Sequence, residues 1–312
     1  MERKNTNRKT KNAKSKKSSF VITLILGIFF ILSAWFIMYD KPLEGLENTL
    51  GRKNEILFEG ISVTYIDVGQ GDCSLVLCGD KSMLVDAGLD TAEDEIFRVL
   101  DGKQVNRLDC IFISHPHNDH IGCLDEILEK YRAKKLYVSY DSSNDVMAES
   151  YASLVSKARS YGAEVINVSP GDGFEFGSAR VKIPAPLTAD VTDLNNASAI
   201  MKLTYGDNTF LFTGDAGAEE ERTVLETGEN LNCDVLKVGH HGSSASSCTE
   251  FLEAVSPDIC IISVGKDNDY GHPSAYTLSR LGTWTDKIYR TDLSGNITVS
   301  GDGENLTVKT SK

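Results

Sequence analysis

The sequence predicts an α/β fold in which two β-sheets pack face to face with helices on their outer sides, after one N-terminal transmembrane helix. Two observations indicate this architecture. Strand-like segments followed by helical segments occur twice along the chain, and each sheet or helix must bury an apolar face against another layer. Near the N-terminus, residues 20–38 form a run without any charged side chain.

The first half begins with a predicted meander of antiparallel strands. Residues 61–66 alternate and are rich in β-branched side chains, which is typical of a strand. Further strands are expected at 74–77 and 83–85. The elements expected after them are a helix at 93–100, a buried strand at 109–113, a helix at about 121–131, a strand at 136–138, a helix at about 146–161 and short strands within 165–183.

The second half repeats this order. Residues 199–205 and 209–212 predict a hairpin around Gly206-Asp207-Asn208. The elements expected after it are a helix at about 217–227, a strand at 235–238, a helix at 248–255, a strand at 259–264, a helix at 274–281 and a small β meander at about 287–310.

Residues 20–39 are predicted to form an uncleaved membrane anchor. The uncharged run would reach about 28 Å as a helix, close to the hydrocarbon thickness of a bilayer. It ends in Trp35-Phe36-Ile37-Met38-Tyr39 and not in the small residues of a signal-peptide cleavage site. A buried soluble helix would not need the basic prefix. We therefore expect a basic cytoplasmic tail at 1–19, the anchor at 20–39, a linker at 40–57 and an extracellular domain at 58–312.

Charge is divided unevenly along the chain. Residues 1–40 contain eight basic and two acidic residues, a net of +6, so the total of -13 leaves -19 for the remainder. An acidic body repels polyanions unless metal ions or a local basic groove compensate, which argues against broad, non-specific binding of nucleic acid. The seven cysteines are an odd number and count mildly against an extracellular placement. Cys110, Cys233 and Cys260 lie in apolar strand-like runs that predict core positions.

All six histidines fall in three short clusters, which indicates a metal site. The segment Ser114–His120 holds three imidazoles and a carboxylate between a buried strand and a helix, where open α/β folds place their ligands. The other clusters are His240-His241 and His272. Imidazole nitrogens and carboxylate oxygens suit zinc, manganese or iron. A polar surface loop that is His-rich by chance is the poorer interpretation.

The spacing His115-x-His117-x-Asp119-His120 matches the His-x-His-x-Asp-His signature of the metallo-β-lactamase fold. Further motifs occur in order along the chain, namely Asp67-Val68-Gly69-Gln70-Gly71-Asp72, Leu84-Val85-Asp86-Ala87-Gly88, Phe212-Thr213-Gly214-Asp215, Leu236 to Ser243 and Tyr270-Gly271-His272-Pro273. Together they resemble the extracellular hydrolase domain of ComEC-type competence (DNA-uptake) proteins over roughly residues 58–310. The resemblance implies a four-layer αβ/βα sandwich.

The resemblance also implies a site for two divalent metal ions. The implied ligands are His115 and His117 for the first ion, Asp119 and His120 for the second, Asp215 as a bridge, and His240 as the third ligand of the second ion. His241 is the alternative to His240, since adjacent residues point differently. Asp86 would hold a ligand imidazole by its free N–H.

One departure from the resemblance concerns the first ion. Many relatives place a third histidine ligand before the bridging Asp, whereas here no histidine lies between His120 and His240. The corresponding region contains Asn195 and Asn196, whose amide oxygens would be weaker ligands. Zinc is the expected metal overall, but the missing imidazole weakens the expected affinity of the first ion's site for zinc, so a mixed or manganese-loaded centre is the alternative.

Two such ions would lower the pKa of a shared water and clamp an oxyanion. We expect Asp119 to orient the attacking oxygen and His241 and His272 to donate protons to the substrate, although a packing role for His272 is an equal alternative. Ser243 and Ser244 are candidates for phosphate binding. Asp67, Gln70 and Asp72 are expected to line the same mouth, with a tight-turn role as the alternative.

The leading functional interpretation is a membrane-anchored, extracellular, metal-dependent hydrolase, specifically a phosphodiesterase or nuclease with DNA as a candidate substrate. The first alternative is a hydrolase of other esters, such as a cell-wall phosphocholine esterase, because the acidic body favours small substrates. The second alternative, from another class, is a binding ectodomain that kept the fold without catalysis. The complete set of histidines and carboxylates argues against this last interpretation.

Overall fold

The computed structural model describes residues 58–139, 147–185 and 193–312. The predicted tail, anchor and linker at 1–19, 20–39 and 40–57 lie outside the described residues. Within the described ranges, no helix has both the length and the apolar character needed to cross a membrane.

The strands of the described ranges lie close to the predicted segments. In chain order they are β1 Phe58–Tyr65, β2 Ser74–Gly79, β3 Lys81–Val85, β4 Leu108–Ile113, β5 Ala133–Val138, β6 Glu164–Asn167, β7 Gly173–Phe176, β8 Ala179–Lys182, β9 Met201–Tyr205, β10 Asn208–Phe212, β11 Val235–Lys237, β12 Ile259–Ile262, β13 Ile288–Arg290, β14 Ile297–Gly301 and β15 Leu306–Thr310.

The helices occupy the segments between the strands. They are α1 Glu93–Gly102, α2 Asn118–Ile121, α3 Leu124–Tyr131, α4 Met147–Ser160, α5 Ala218–Glu226, α6 Thr249–Val255, α7 Ala275–Leu281 and α8 Thr291–Ser294, with short 3-10 turns at Asp90–Ala92, Leu194–Ala197 and Gly239–Gly242.

The strands of the described residues form two sheets. The first sheet has the order β15-β14-β1-β2-β3-β4-β5-β6 and the second has the order β13-β12-β11-β10-β9-β8-β7. Strands β1, β2 and β3 pair antiparallel, which confirms the predicted meander, and β3 to β6 continue in parallel. In the second sheet, β10 to β13 are parallel. Parallel strands place their carboxyl ends on one edge, which is where loops carry ligands in such folds.

Three apolar clusters separate four layers, so the predicted arrangement of two sheets with outer helices is confirmed. One cluster joins the first sheet to α1, α3 and α4, a second lies between the two sheets, and a third joins the second sheet to α5, α6 and α7. Alternation along β10 shows the principle, because Phe210 and Phe212 face the other sheet while Leu211 faces the helices.

The predicted meander at about 287–310 is wrong in its strand partners. β13 pairs in parallel with β12 and completes the second sheet, whereas β14 and β15 form a hairpin beside β1 in the first sheet. The turn of α8 and Gly295, at a φ of 65°, separate the two. A β-rich sequence predicts strands, but the choice of sheet depends on contacts with strands far away in the chain.

The seven cysteines, which all lie in described ranges, are buried and free. Cys110 lies between the sheets, and Cys233 and Cys260 lie between the second sheet and its helices, as predicted. Each is a small core residue in a well-packed interior.

Candidate metal centre

The His-rich segment follows β4 and enters α2. His115 and His120 are fully buried, and His117 is half-buried. His115 Nε2 lies 2.9 Å from His117 Nδ1, so one nitrogen of each ring is directed at the same point. We call the site formed by His115, His117 and Asp215 the first position.

A second group of ligand atoms converges beside the first. It consists of Asp119, His120, Asp215 and His241, whose ligand atoms all lie within 4.8 Å of one another. His241 Nε2 is 3.1 Å from Asp119 Oδ2, and His120 Nε2 is 3.3 Å from Asp215 Oδ1. We call this group the second position. Two imidazoles and two carboxylates are ligands that suit a divalent transition metal.

Asp215 lies between the two positions. Its Oδ2 is 3.6 Å from His241 Nε2 and 3.9 Å from His115 Nε2. The residue follows β10 at the turn Thr213-Gly214, and its backbone N–H donates to the Ser198 hydroxyl at 3.0 Å. This buried carboxylate is placed where the predicted bridge between two ions would be.

Asp86 fixes the orientation of the His120 ring. It follows β3 in a left-handed conformation, at a φ of 59°, and its Oδ2 accepts a hydrogen bond from His120 Nδ1 at 2.9 Å. The Ser114 N–H and hydroxyl also donate to this carboxylate, at 2.8 and 2.9 Å. Because Nδ1 is engaged by Asp86, Nε2 is the ring atom of His120 that is left to bind an ion at the second position.

His241 is held in the same way by a backbone carbonyl. Its Nδ1 donates to the Ser263 carbonyl, just after β12, at 2.9 Å. Nε2 is therefore the ring atom that is directed toward Asp119 and Asp215. A ligand imidazole whose other nitrogen donates to a carbonyl or carboxylate is the usual arrangement around protein-bound metal ions.

Two buried atoms of the second position have no hydrogen-bond partner in the described part of the chain. They are His120 Nε2 and Asp215 Oδ1, which lie 3.3 Å apart but are not oriented to hydrogen-bond to each other. A buried polar atom without a partner costs free energy, so native structures rarely leave one unless an ion or water completes it. Both atoms are directed at the same site, and the residues present therefore fit a divalent ion.

The charge states of two ligand residues agree with this fit. Burial, together with the neighbouring His120, lowers the pKa of His115 well below its ordinary value, so the ring is neutral. Burial alone would raise the pKa of Asp215, but His241 and His120 outweigh it and hold that pKa well below its ordinary value. A neutral imidazole and an ionised carboxylate are the forms that bind metal ions.

The structure places His241, the alternative ligand, closer to the second position than His240. His241 is 1% exposed and lies within the second position, whereas His240 is half-buried with its Nε2 3.8 Å from Asp215 Oδ2. Both residues have left-handed backbones, with φ of 49° and 52°, in the turn Gly239–Gly242. This turn directs the His241 ring inward and leaves the His240 ring at the more exposed entrance of the site.

His272 lies at the same mouth. Its ring is 5.6 Å from the ring of His240, and its Nδ1 is buried without a hydrogen-bond partner among the described residues. Ser243 has a turn-forming role, because its hydroxyl accepts from the Ala245 N–H at 3.2 Å. The Ser244 carbonyl accepts from Arg280 at 3.2 Å.

The three residues predicted to line the mouth have separate structural contacts. Asp67 Oδ2 accepts from Lys312 Nζ at 2.9 Å, and Gln70 Oε1 accepts from the Gly265 N–H at 3.1 Å. Asp72 is buried and forms an ion pair with Lys237 Nζ. The tight-turn alternative describes Gln70 better than contact with a substrate.

Asn196 forms a side-chain hydrogen bond near the bridging carboxylate, and Asn195 forms a backbone hydrogen bond within its own turn. Asn196 Oδ1 accepts from the Gly217 N–H at 3.2 Å, which braces the loop after Asp215. Asn195 donates its backbone N–H to the Asp193 carboxylate at 3.0 Å. The first position thus keeps two imidazoles, since the other four histidines of the chain lie elsewhere in the structure.

Sequence reasoning missed Lys237, which ends β11 as a buried cation. Its ion pair with Asp72 joins the second sheet to the first, next to a cavity of about 10 Å³ lined by Asp72, Asp86, Ser114 and Lys237. Asp72 Oδ2 is also 3.9 Å from His120 Nδ1. The available signal was a lysine inside the apolar run 235–238, because a buried charge needs a partner.

The comparisons with known proteins agree with this geometry. The sequence pattern of the metallo-beta-lactamase superfamily matches residues 66–266. ComE operon protein 3 of Bacillus subtilis (strain 168) is 29% identical over 253 residues, which cover 75% of this chain and 32% of that protein. Competence protein ComA of Neisseria gonorrhoeae is 31% identical over 240 residues, which cover 75% of this chain and 31% of that protein. The chain thus spans about a third of the length of these relatives.

A solved structure shows the same fold. The metallo-beta-lactamase fold protein YhfI from Bacillus subtilis superposes with a TM-score of 0.54 at 16% identity, and the match covers 78% of this chain and all of that chain. The resemblance to competence proteins predicted from the motifs is confirmed. With a match over more than half of its length, the chain belongs to the metallo-beta-lactamase superfamily.

Proposed function

We propose that the chain is a hydrolase of phosphodiester bonds that works with two divalent metal ions. The observation that carries the proposal is the convergence of Asp119, His120, Asp215 and His241 beside the imidazoles of His115 and His117. Similarity to proteins named for competence supports DNA or its fragments as the substrate.

Two divalent ions bound at these positions would supply a water of lowered pKa and a clamp for anionic oxygens. The chain's own residues prepare the site for this chemistry. Asp119 Oδ2 lies 3.1 Å from His241 Nε2, so this carboxylate is directed into the site. Asp119 is also the least buried ligand of the second position, which suits it to orient an incoming water.

His240 and His272 lie next to the bridging carboxylate, on the more exposed side of the site. His240 is half-buried, and its ring is in edge-to-face contact with that of His272. Burial lowers the pKa of His240, and the same is true of His272. We propose that His240 takes the proton-donating role predicted for His241, with His272 holding its ring in place.

Zinc is the metal that we propose for the second position, and manganese is the alternative for the first. The second position offers two buried imidazoles with hydrogen-bonded outer nitrogens, an arrangement common at zinc. The first position also offers two imidazoles, but one of their rings is more exposed and it has one carboxylate where the second position has two, which suits a less demanding ion.

We also propose that residues 20–39 anchor the chain and that residues 40–312 face the outside of the cell. The uncharged run and the eight basic residues before it support this topology. A protease added to intact cells should remove the body and spare the tail. Protection of the body until the cells are lysed would rule the topology out.

The enzymatic proposal is tested with the purified full chain. Metal analysis should find two equivalents of divalent ion, and the loaded protein should hydrolyse bis(p-nitrophenyl) phosphate and short single-stranded DNA. Preference for p-nitrophenyl phosphorylcholine or a carboxyl ester would favour the ester hydrolase instead. Two bound ions without hydrolysis of any of these compounds would favour a binding ectodomain.

A further inference from the structure

Three rings lead in contact from solvent to the metal centre. Tyr270 stacks on His272, with ring centroids 5.8 Å apart and an interplanar angle of 26°. His272 meets His240 edge to face at 5.6 Å, and His240 Nε2 lies 3.8 Å from Asp215 Oδ2. We call the side chains of Tyr270, His272 and His240 the ring ladder.

Tyr270 is the outer end of the ring ladder and is unusually open. It is 73% exposed, the largest value among the large apolar side chains of the described residues. His272 lies on one side of the ring, with the centroids 5.8 Å apart, and the large exposed fraction leaves the opposite face open. Single exposed apolar residues are common on proteins, but this one is stacked on a side chain of the candidate metal centre.

The loop that carries Tyr270 is held in shape before any ligand binds. Asn268 Nδ2 donates to the carbonyls of Gly265 and His272, at 2.9 and 2.6 Å. Its Oδ1 accepts from the backbone N–H groups of Tyr270 and His272, at 3.2 and 3.0 Å. Gln70 secures the base of the loop through the Gly265 N–H. A ring presented by a pre-organised loop loses little conformational entropy on binding.

We propose that the free face of Tyr270 stacks a nucleobase of a strand whose phosphodiester lies at the metal centre. The inference rests on the proposed phosphodiesterase function and names the part of the substrate that is recognised. Stacking accepts any base, because every base has a π-face. It requires an unpaired base, so single-stranded nucleic acid is the expected form.

Charge supports stacking as the mode of recognition. Residues 41–312 carry a net charge of -19, so the body as a whole repels the phosphates of a nucleic acid. Contact with the uncharged face of a base avoids this repulsion, and its binding free energy depends little on salt concentration. A strand held at one base and at the metal centre needs no basic groove.

A quaternary ammonium group is the other ligand that an exposed tyrosine could take. Such cations are usually enclosed by a cage of several aromatic faces. In the ring ladder, Tyr270 offers one free face and its neighbour is an imidazole. The geometry therefore favours a flat ligand that needs only one face, and a choline ester becomes an outcome of the test.

The experiment compares a fluorescein-labelled oligothymidylate with an abasic strand of equal length. Both strands carry phosphorothioate linkages that resist hydrolysis, so binding is measured on the metal-loaded full chain while the strand stays intact. The wild-type protein should bind the base-containing strand about 5- to 140-fold more tightly. Tyr270→Ala should abolish the difference, whereas Tyr270→Phe should keep it.

Tyr276→Ala is the matched control. Tyr276 is 67% exposed, but Arg280 lies over its ring at 4.8 Å and the residue is not part of the ring ladder. This variant should retain the preference. Equal binding of the two strands by the wild type, or a preference that survives in Tyr270→Ala, would overturn the inference.

A second measurement separates this inference from the proposed function. Hydrolysis of bis(p-nitrophenyl) phosphate by the metal-loaded chain tests the function and does not involve a base. If hydrolysis is present and the base preference is absent, only the stacking role fails. If Tyr270→Ala raises the KM for p-nitrophenyl phosphorylcholine but not the Kd for the strand, the ring binds a quaternary ammonium group and the inference is wrong.

Discussion

The two metal positions share Asp215 but differ in how completely the chain supports their ligands. At the second position, Asp86 holds His120 and the Ser263 carbonyl holds His241. At the first position, His115 is supported by the Ser114 hydroxyl at 3.1 Å, and His117 is half-buried. A ligand imidazole whose other ring nitrogen is hydrogen-bonded loses less conformational freedom on binding an ion. The second position should therefore hold its ion more tightly.

The buried Lys237 adds to this difference. Its ion pair with Asp72 occupies the space behind His120, where Asp72, Asp86 and His120 also approach one another closely enough for a cation. The Lys237 ammonium group supplies the positive charge on the Nδ1 side of the His120 ring. Metal binding is therefore left to Nε2. The second position is therefore supported by residues of both sheets.

Stepwise chelation should give the largest effect and tests the comparison directly. Because the first position has fewer fixed ligands, its ion should leave at a lower chelator concentration than the ion of the second position. Hydrolysis that needs both ions should be lost completely at this first step. Metal content and hydrolysis of bis(p-nitrophenyl) phosphate are followed together. Release of both equivalents in one step would show that the two positions are equally strong.

Substitution of the two adjacent histidines should separate metal binding from proton donation. His241→Ala should lose the second-position ion and activity together, because its Nε2 lies among the ligand atoms. His240→Ala should retain both ions but lower turnover by about 10² to 10⁴, the usual range for a lost acid–base group. The two variants are a matched pair of neighbouring imidazoles. Loss of metal in His240→Ala, with both ions kept in His241→Ala, would reverse the assignment.

The position of the His-rich loop could be predicted because it depends on local sequence. The apolar run of β4 predicts a buried strand, and the next residues must then leave the sheet at its carboxyl edge. The same reasoning places Asp86 after β3 and Asp215 after β10. Each of these residues of the candidate metal centre follows a strand whose pattern is visible in the sequence.

The order of His240 and His241 could not be predicted from local sequence. Both residues adopt left-handed backbones that non-glycine residues rarely adopt, and the inward direction of His241 depends on the Ser263 carbonyl. The strand partners of 287–310 and the ion pair of Lys237 with Asp72 likewise depend on residues distant in the chain. Long-range packing, which has no periodic signal in the sequence, determines the histidine order, these strand partners and this ion pair.

The smallest expected effect is that of Asp86→Asn, which tests whether hydrogen bonds to the ligand imidazoles explain the strength of the second position. The Asp86 carboxylate accepts three hydrogen bonds, from the Ser114 N–H, the Ser114 hydroxyl and His120 Nδ1. In Asp86→Asn, one of the two acceptor oxygens becomes an NH2 group. In either orientation of the amide this group faces a donor, the Ser114 N–H or the Ser114 hydroxyl and His120 Nδ1, so His120 loses its fixed orientation. Metal affinity of the second position should fall about 10- to 100-fold, the usual effect of losing such a partner.

The matched control for this variant is Asp67→Asn. Asp67 also follows a strand of the first sheet, but its carboxylate pairs with Lys312 and contacts no ligand histidine in the described hydrogen bonds. This variant should keep wild-type affinity in a competition titration with a coloured zinc chelator. If Asp86→Asn binds zinc as tightly as Asp67→Asn does, then His120 does not depend on Asp86. The greater strength of the second position would then come from the number of its ligands, because four residues converge there and three at the first position.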